Sequence, residues 1–491
     1  MQKIRSDPCG AGRISGAPVP GAGWAASGVR CIAARSAARS ERPEGTRCQT
    51  SLDCDFQRSA TMKLLDFNEA AGLELDGSVR GVPPGVVISN GRLTAMNWSP
   101  HDGSMTLPVL TLDEEALLYN ATNFLQFAEN EKVLLAPHAK TPMMPGLAAS
   151  LITAGAWGAT VANVQQLSAL MAAGVKRIIY GSPPGGMTGC THLAAALALF
   201  PDVDAYVFLD SVETVRALHR ALRKRGEARA FGLIEVGFGR TGARDIGTAM
   251  AIRDAIIATN GAIRLAGVAT YEAGAAAGSG VDYQIVFRQL FRLVADAHRS
   301  AREAVPLGEH LIITAGGSSY FDEVIDALRP VAETQGPTSL VLRSGAIFFS
   351  DDGMQQRALA AIAARSRYGS IGNAIRPVLS LWAEVISRPE AGLAIAGFGR
   401  RDAPTDQGVP IVRRIYRDGV KVTSVDDQLP VVAKVNDQHA FISGPGVEGL
   451  LVGDVLQLGI SHPCTALQCW SVVYGTDDQY RVQSAFKTHF G

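Results

Sequence analysis

The chain has 491 residues, 46 Lys+Arg balanced by 46 Asp+Glu, and 47% apolar side chains. That balance excludes a large nucleic-acid footprint, which needs clustered basic charge, and the apolar share excludes disorder as the main state. No apolar run approaches the roughly 18 residues of a membrane helix, and the length suits two or three domains.

Residues 1–61 hold 9 basic and 5 acidic side chains and four of the seven cysteines, Cys9, Cys31, Cys48 and Cys54. This stretch is rich in Ala, Arg, Gly and Ser and lacks apolar periodicity. We read it as an extension outside the fold. An upstream start codon or a disordered tail fits it better than a transit peptide, because such peptides avoid acids. The other three cysteines (Cys190, Cys464, Cys469) make no disulfide framework, which points to a reducing, cytoplasmic setting. Residues 62–111 read as a lead-in segment that could pack with a later β domain, since Leu107–Leu112 is a candidate strand.

From 112 to 371, short β-branched runs alternate with longer amphipathic ones. Strands are expected near Val133–Ala136, Ala159–Ala162, Arg177–Tyr180, Ala205–Leu209, Phe231–Val236, Leu265–Thr270, Leu311–Thr314 and Ser339–Leu342. Helices are expected over Val164–Ala173, Glu213–Arg225 and Tyr283–Arg302, each with one apolar face. Eight such alternations predict an α/β fold, a (β/α)8 TIM-like barrel. Residues 372–491 change texture. Val378–Ile386, Val409–Tyr416, Val431–Val435, Val452–Gly459 and Trp470–Tyr474 read as strands of a C-terminal all-β domain.

In such a barrel, chemistry sits at the C-terminal ends of the strands. There the sequence places Lys140 after strand 1, Arg240 after strand 5 and Tyr271 after strand 6. Gly316, Gly317 and Ser318 follow strand 7; Arg343, Ser344 and Gly345 follow strand 8. Small residues at the last two positions suit a phosphate cradle, although a plain turn explains them as well. A lysine on the same rim suits covalent attachment of pyridoxal phosphate (PLP). Further on, His462 and Cys464 stand two apart. On an extended segment they would share one side, a workable bite for Zn2+. A core histidine beside a small cysteine is the plainer reading.

These motifs carry a resemblance. Ala136-Pro137-His138-Ala139-Lys140-Thr141 is similar to the PLP-lysine motif of the D-serine dehydratase and D-threonine aldolase family, within the alanine racemase-like, fold-type III PLP enzymes. Leu107-Pro108, Leu112-Asp113 and Asn120 resemble that family's lead-in. Glu235 to Gly242 resembles its Glu-x-Asp-x-Gly-x-x-Arg-x-Gly segment, with Gly237 in place of Asp. Arg343-Ser344-Gly345 is similar to the Arg-x-Gly after the last barrel strand of alanine racemases.

The resemblance implies roles. Lys140 would carry PLP and move the Cα proton. Arg240 would lie near the phenolic oxygen or the substrate carboxylate, and Tyr271 would back the ring. Gly316, Gly317, Ser318, Ser344 and Gly345 would hold the phosphate. Arg343 would face the pyridine nitrogen or, equally, form a salt bridge on the rim. His462 and Cys464 would bind zinc, as the His-x-Cys pair of D-serine dehydratases does; D-threonine aldolases carry His-x-Asp. The implied activity is β-elimination from a D-β-hydroxy amino acid, D-serine or D-threonine, giving a 2-oxo acid and ammonia. A D-threonine aldolase, an amino-acid racemase and a non-catalytic PLP-binding protein stay open. The resemblance also implies a homodimer. The partner is a small D-amino acid; no nucleic acid and no membrane are expected.

Overall fold

The computed structural model describes residues 73–490, apart from 227, 278–281 and 424–427. The expected extension, 1–61, and the start of the lead-in lie outside the described residues.

Eight short strands form one parallel sheet: Leu134–Leu135, Ala159–Val161, Arg177–Tyr180, Asp204–Leu209, Ala230–Glu235, Ile263–Ala269, Leu311–Ala315 and Thr338–Leu342. From the second to the eighth they pair in sequence order, and the eighth pairs with the first. First and second meet only past the end of the first, through the isolated bridge His138↔Thr160. There Ala139 N–H donates to Thr160 O at 2.8 Å and Thr160 N–H to Pro137 O at 2.9 Å. The ring therefore closes at the loop that carries Lys140. Its interior is filled by Ala136, Ile179, Phe208, Leu233, Ala266, Ile312 and Val341, so it is a packed core rather than a pore.

The outer helices follow from their sequence. Val212–Arg223 buries Val215, Leu218 and Leu222 and leaves Arg216, Arg220 and Arg223 in water. Ser211 caps its start, accepting from Thr214 N–H at 3.2 Å. Glu213 lies in its first turn and Arg220 and Arg223 in its last, as the helix dipole favours. No described helix is long and apolar enough to cross a membrane.

The second domain is an antiparallel-rich sheet built around Leu379–Glu390. That strand pairs with Val455–Gly459 on one side and with Val109–Asp113 on the other. Val109–Asp113, ahead of the barrel in sequence, is thus a strand of the β domain. Asp113 then caps the first barrel helix, Glu114–Asn130, by accepting from Ala116 N–H at 2.8 Å. Asn120 on that helix donates to the carbonyls of Phe348 and Arg376 and accepts from Arg376 N–H, locking the barrel's end to the domain joint.

Strands at Leu393–Ala396, Ala440–Ser443 and Val482–Lys487 were not expected. The first two have four residues, too few for an alternating pattern to stand out. The local geometry of the His-x-Cys segment also differs from expectation. Its strand stops at Gly459. His462 is the N-cap of a helical turn, Pro463–Leu467, that contains Cys464. Proline at the first helical position explains the change, since its fixed φ starts a turn readily.

Candidate active site

The lysine loop leaves the first strand at Ala136 and is held on both flanks. His138 N–H donates to Arg343 O at 3.2 Å, and Lys140 N–H reaches His138 Nδ1 at 3.4 Å. Gly345 allows the eighth-strand loop to lie against it: a Cβ there would stand 2.4 Å from His138 O. Burial holds His138 well below its usual value, helped by the Lys140 and Arg343 charges. The Lys140 side chain itself is exposed at the mouth.

Arg343 is buried, with its guanidinium 5.2 Å over the ring of Phe208 in the barrel interior. It donates to Thr270 O at 2.6 Å and to Thr314 Oγ1 at 2.9 Å. Among the described residues it makes no ion pair; it tethers the sixth and seventh strand ends instead of forming the rim salt bridge that stood as one of two readings. Glu235, at the end of the fifth strand, is also buried, and one of its oxygens, Oε2, has no hydrogen-bond partner among the described residues. The other accepts from Thr241 Oγ1 at 2.7 Å. Burial pushes its carboxyl up to about 7. Thr270 Oγ1 is a second buried atom without a hydrogen-bond partner among the described residues.

The fifth-strand loop folds around Arg244, which donates to the carbonyls of Gly237, Arg240, Thr241 and Gly242. Gly237 is required here: a Cβ would stand 2.4 Å from Thr241 O, so the acidic residue of the family motif does not fit this backbone. Arg240 is exposed and lies 5.2 Å over the Tyr271 ring.

The glycine turn after the seventh strand differs from a free cradle. Gly316 N–H and Gly317 N–H both donate to the buried carboxylate of Glu272, at 3.0 and 2.7 Å. Ser344 Oγ donates to Gly316 O and Gly317 O, each at 3.2 Å, and Ser318 Oγ accepts from Ile347 N–H at 3.1 Å. Two of the five expected phosphate residues thus have their amides engaged by a carboxylate. Glu272 follows Tyr271 directly in sequence, but nothing in that position announces a partner 44 residues away.

His462 and Cys464 come beside this rim. Thr141 Oγ1, next to Lys140, contacts Cys464 Sγ at 3.1 Å. Burial would raise the Cys464 thiol, but His462, Thr141 and the Lys140 charge together lower it. For His462, burial is outweighed by its interactions with Cys464 and Asp406, which push it up to about 9. Asp406, absent from the sequence reading, accepts at 2.6 Å from His462 Nδ1. Among the described residues, no three His, Cys, Asp or Glu side chains gather as metal ligands. Cys469 donates to Thr465 O at 3.4 Å and Cys190 lies buried in the helix Met187–Leu199. A cavity of about 470 Å3 between Asp113, Asp352, Ser380, Arg413 and Gln457 contains none of the expected site residues.

The residues fit an aldehyde cofactor with an anionic group. A lysine stands at the mouth, and buried Glu235 Oε2 and Thr270 Oγ1 have no hydrogen-bond partner among the described residues. They also offer a borderline metal ion a thiol and an imidazole as a donor pair, Cys464 and His462.

Two family models match the chain in tandem. One described as "Alanine racemase, N-terminal domain" matches residues 112–330. One described as "Putative serine dehydratase domain" matches residues 378–476. Among solved structures, D-threonine aldolase from Filomicrobium marinum is 21% identical with a TM-score of 0.62, covering 78% of this chain and 95% of that one. D-threo-3-hydroxyaspartate dehydratase from Delftia sp. HT23 is 21% identical with a TM-score of 0.59, covering 78% and 97%. An alanine racemase from Bacillus anthracis is 14% identical with a TM-score of 0.53, covering 77% and 97%. At these identities the likeness shows the fold. Comparison with curated proteins gives no match. The two domain models, in this order on one barrel and one β domain, show that the chain belongs to the alanine racemase-like, fold-type III family of PLP enzymes that carry a serine dehydratase-type second domain.

Proposed function

We propose that the protein is a PLP- and metal-dependent lyase acting on D-serine, D-threonine or a related D-β-hydroxy amino acid. The substrate loses its β-hydroxyl as water, and hydrolysis then releases ammonia and a 2-oxo acid. The observation that carries this reading is the 3.1 Å contact between Thr141 and Cys464, which sets the His-x-Cys pair beside the lysine loop. Two structural neighbours, named as a D-threonine aldolase and a D-threo-3-hydroxyaspartate dehydratase, support the substrate class.

PLP, when bound, supplies an acceptor for the electron pair of the broken Cα–H bond. Lys140 Nζ is the atom that would hold the cofactor and, once freed by the substrate amine, take the Cα proton. Tyr271 would flank the ring, and the exposed Arg240 guanidinium beside it would meet the substrate carboxylate or the phenolic oxygen. Ser318, Ser344 and Gly345 would hold the phosphate. Gly316 and Gly317 would add their amides only where Glu272 gives them up. Arg343 would face the pyridine nitrogen; a cation there keeps that nitrogen unprotonated and suits a reaction whose leaving group departs promptly. His462 and Cys464 would hold the ion, zinc in this reading, whose Lewis acidity would ease departure of a poor leaving group. The reading includes a homodimer and a cytoplasmic location, supported by the family and by the few thiols of the fold.

The test is a panel of D-amino acids assayed for 2-oxo acid and ammonia, with and without a chelator. Chelator-sensitive 2-oxo acid formation from a D-β-hydroxy amino acid is expected. Glycine and an aldehyde as products would select the aldolase reading, which the D-threonine aldolase neighbour favours. Inversion at Cα that survives chelation would select a racemase. Cofactor binding without turnover would leave a binding protein.

A further inference from the structure

Asp406 lies 56 residues before His462, in a loop of the β domain, yet it grips the candidate metal segment at two points. One carboxylate oxygen accepts from His462 Nδ1 at 2.6 Å, and the other accepts from Thr465 Oγ1 at 3.1 Å. Thr465 belongs to the same helical turn as Cys464. The Asp406 loop is itself fastened to the segment, because Ser461 Oγ donates to Gly408 O at 2.5 Å. On the opposite side, Thr141 holds Cys464 at its sulfur.

An imidazole has two ring nitrogens, and the one that donates to a carboxylate fixes which is left for a ligand. With Nδ1 engaged by Asp406, the nitrogen left for a ligand is Nε2. A carboxylate behind a ligating histidine sets the ring's tautomer and orientation and raises its basicity as a donor. We infer that Asp406 is a positioning residue of the metal centre, presenting His462 Nε2 to the ion that His462 and Cys464 hold. This rests on the proposed metal-dependent reading and extends it to a residue that no motif in the sequence marks. The rival role is a simple tether of the helical turn through Thr465.

The experiment titrates the full chain with Co2+, reading the thiolate charge-transfer absorption and the apparent affinity by competition with a chelator. The wild type is expected to bind Co2+ with a thiolate band. Asp406→Ala is expected to weaken binding by about 10- to 100-fold, with the melting temperature of the metal-free protein and the cofactor spectrum unchanged. Asp406→Asn keeps an acceptor without the charge and is expected to fall between; it also serves if the alanine variant does not fold. Thr465→Val removes only the tether and is expected to bind as the wild type does. Equal affinities for the wild type and both Asp406 variants would overturn the inference alone, as would a loss in Thr465→Val matching that in Asp406→Ala. A wild type with no thiolate band would overturn the metal reading together with the inference.

Discussion

Lys140, Tyr271, Ser318 and Arg343 each stand just past a parallel strand of one closed sheet, so the barrel brings them to a common rim by construction. His462 and Cys464 reach the same rim from a helical turn of the β domain, where a proline, a distant aspartate and a barrel threonine set their aim. The rim depends on strand order, which many side chains share. The His462–Cys464 segment depends on a few hydrogen bonds, so single substitutions should uncouple it more cleanly. The barrel side also encloses part of its machinery, with Arg343 over Phe208 and Glu235 buried. The β-domain side keeps Asp406 partly in water, with its side chain 44% exposed.

Substitutions on the two sides sharpen that contrast. The largest effect belongs to Lys140→Ala, which removes the amine proposed to hold the cofactor. Turnover should fall by about 10³-fold or more, and borohydride treatment should no longer fix the cofactor to this position; labelling of another lysine would break the barrel half of the comparison. On the proposed metal reading, Cys464→Ala should cost about 10²-fold in activity with cofactor absorbance intact, because it removes a proposed ligand and leaves the rim in place. If the cofactor were lost as well, the two sides would not be separable.

Gly345→Ala forces a Cβ to within 2.4 Å of His138 O. The clash falls on backbone, so it should destabilise the fold by about 1–3 kcal/mol and weaken cofactor binding, both readable in thermal melts with and without PLP.

The smallest effect is a pH dependence. Burial raises Glu235 from the ordinary carboxylate value to about 7 in the folded chain. The folded state then keeps a proton that the unfolded chain has already released, so stability falls as pH rises from about 4.5 to about 7. Glu235→Gln removes that decline while keeping an acceptor for Thr241. Its melting temperature should gain on the wild type across that window, by an amount corresponding to at most about 3 kcal/mol. Parallel pH profiles for the two proteins would show that the carboxyl is solvated instead.

The sequence by itself determined the alternation of strands and helices, because a parallel sheet buried on both faces writes continuous apolar runs and amphipathic helices write a 3.6-residue period. It thereby placed Lys140, Tyr271, the glycine turn and Arg343 at strand ends, and it marked His462 and Cys464 as a donor pair. Tertiary structure alone decided who touches them. Glu272 takes the Gly316 and Gly317 amides, Asn120 ties Phe348 to Arg376, and Asp406 reaches His462. Such hydrogen bonds join residues dozens to hundreds of positions apart and leave no periodic trace along the chain. The strand role of Val109–Asp113 in the β domain agrees with the candidate strand at Leu107–Leu112; the helical turn at Pro463 was not expected, and packing rather than local pattern selects it.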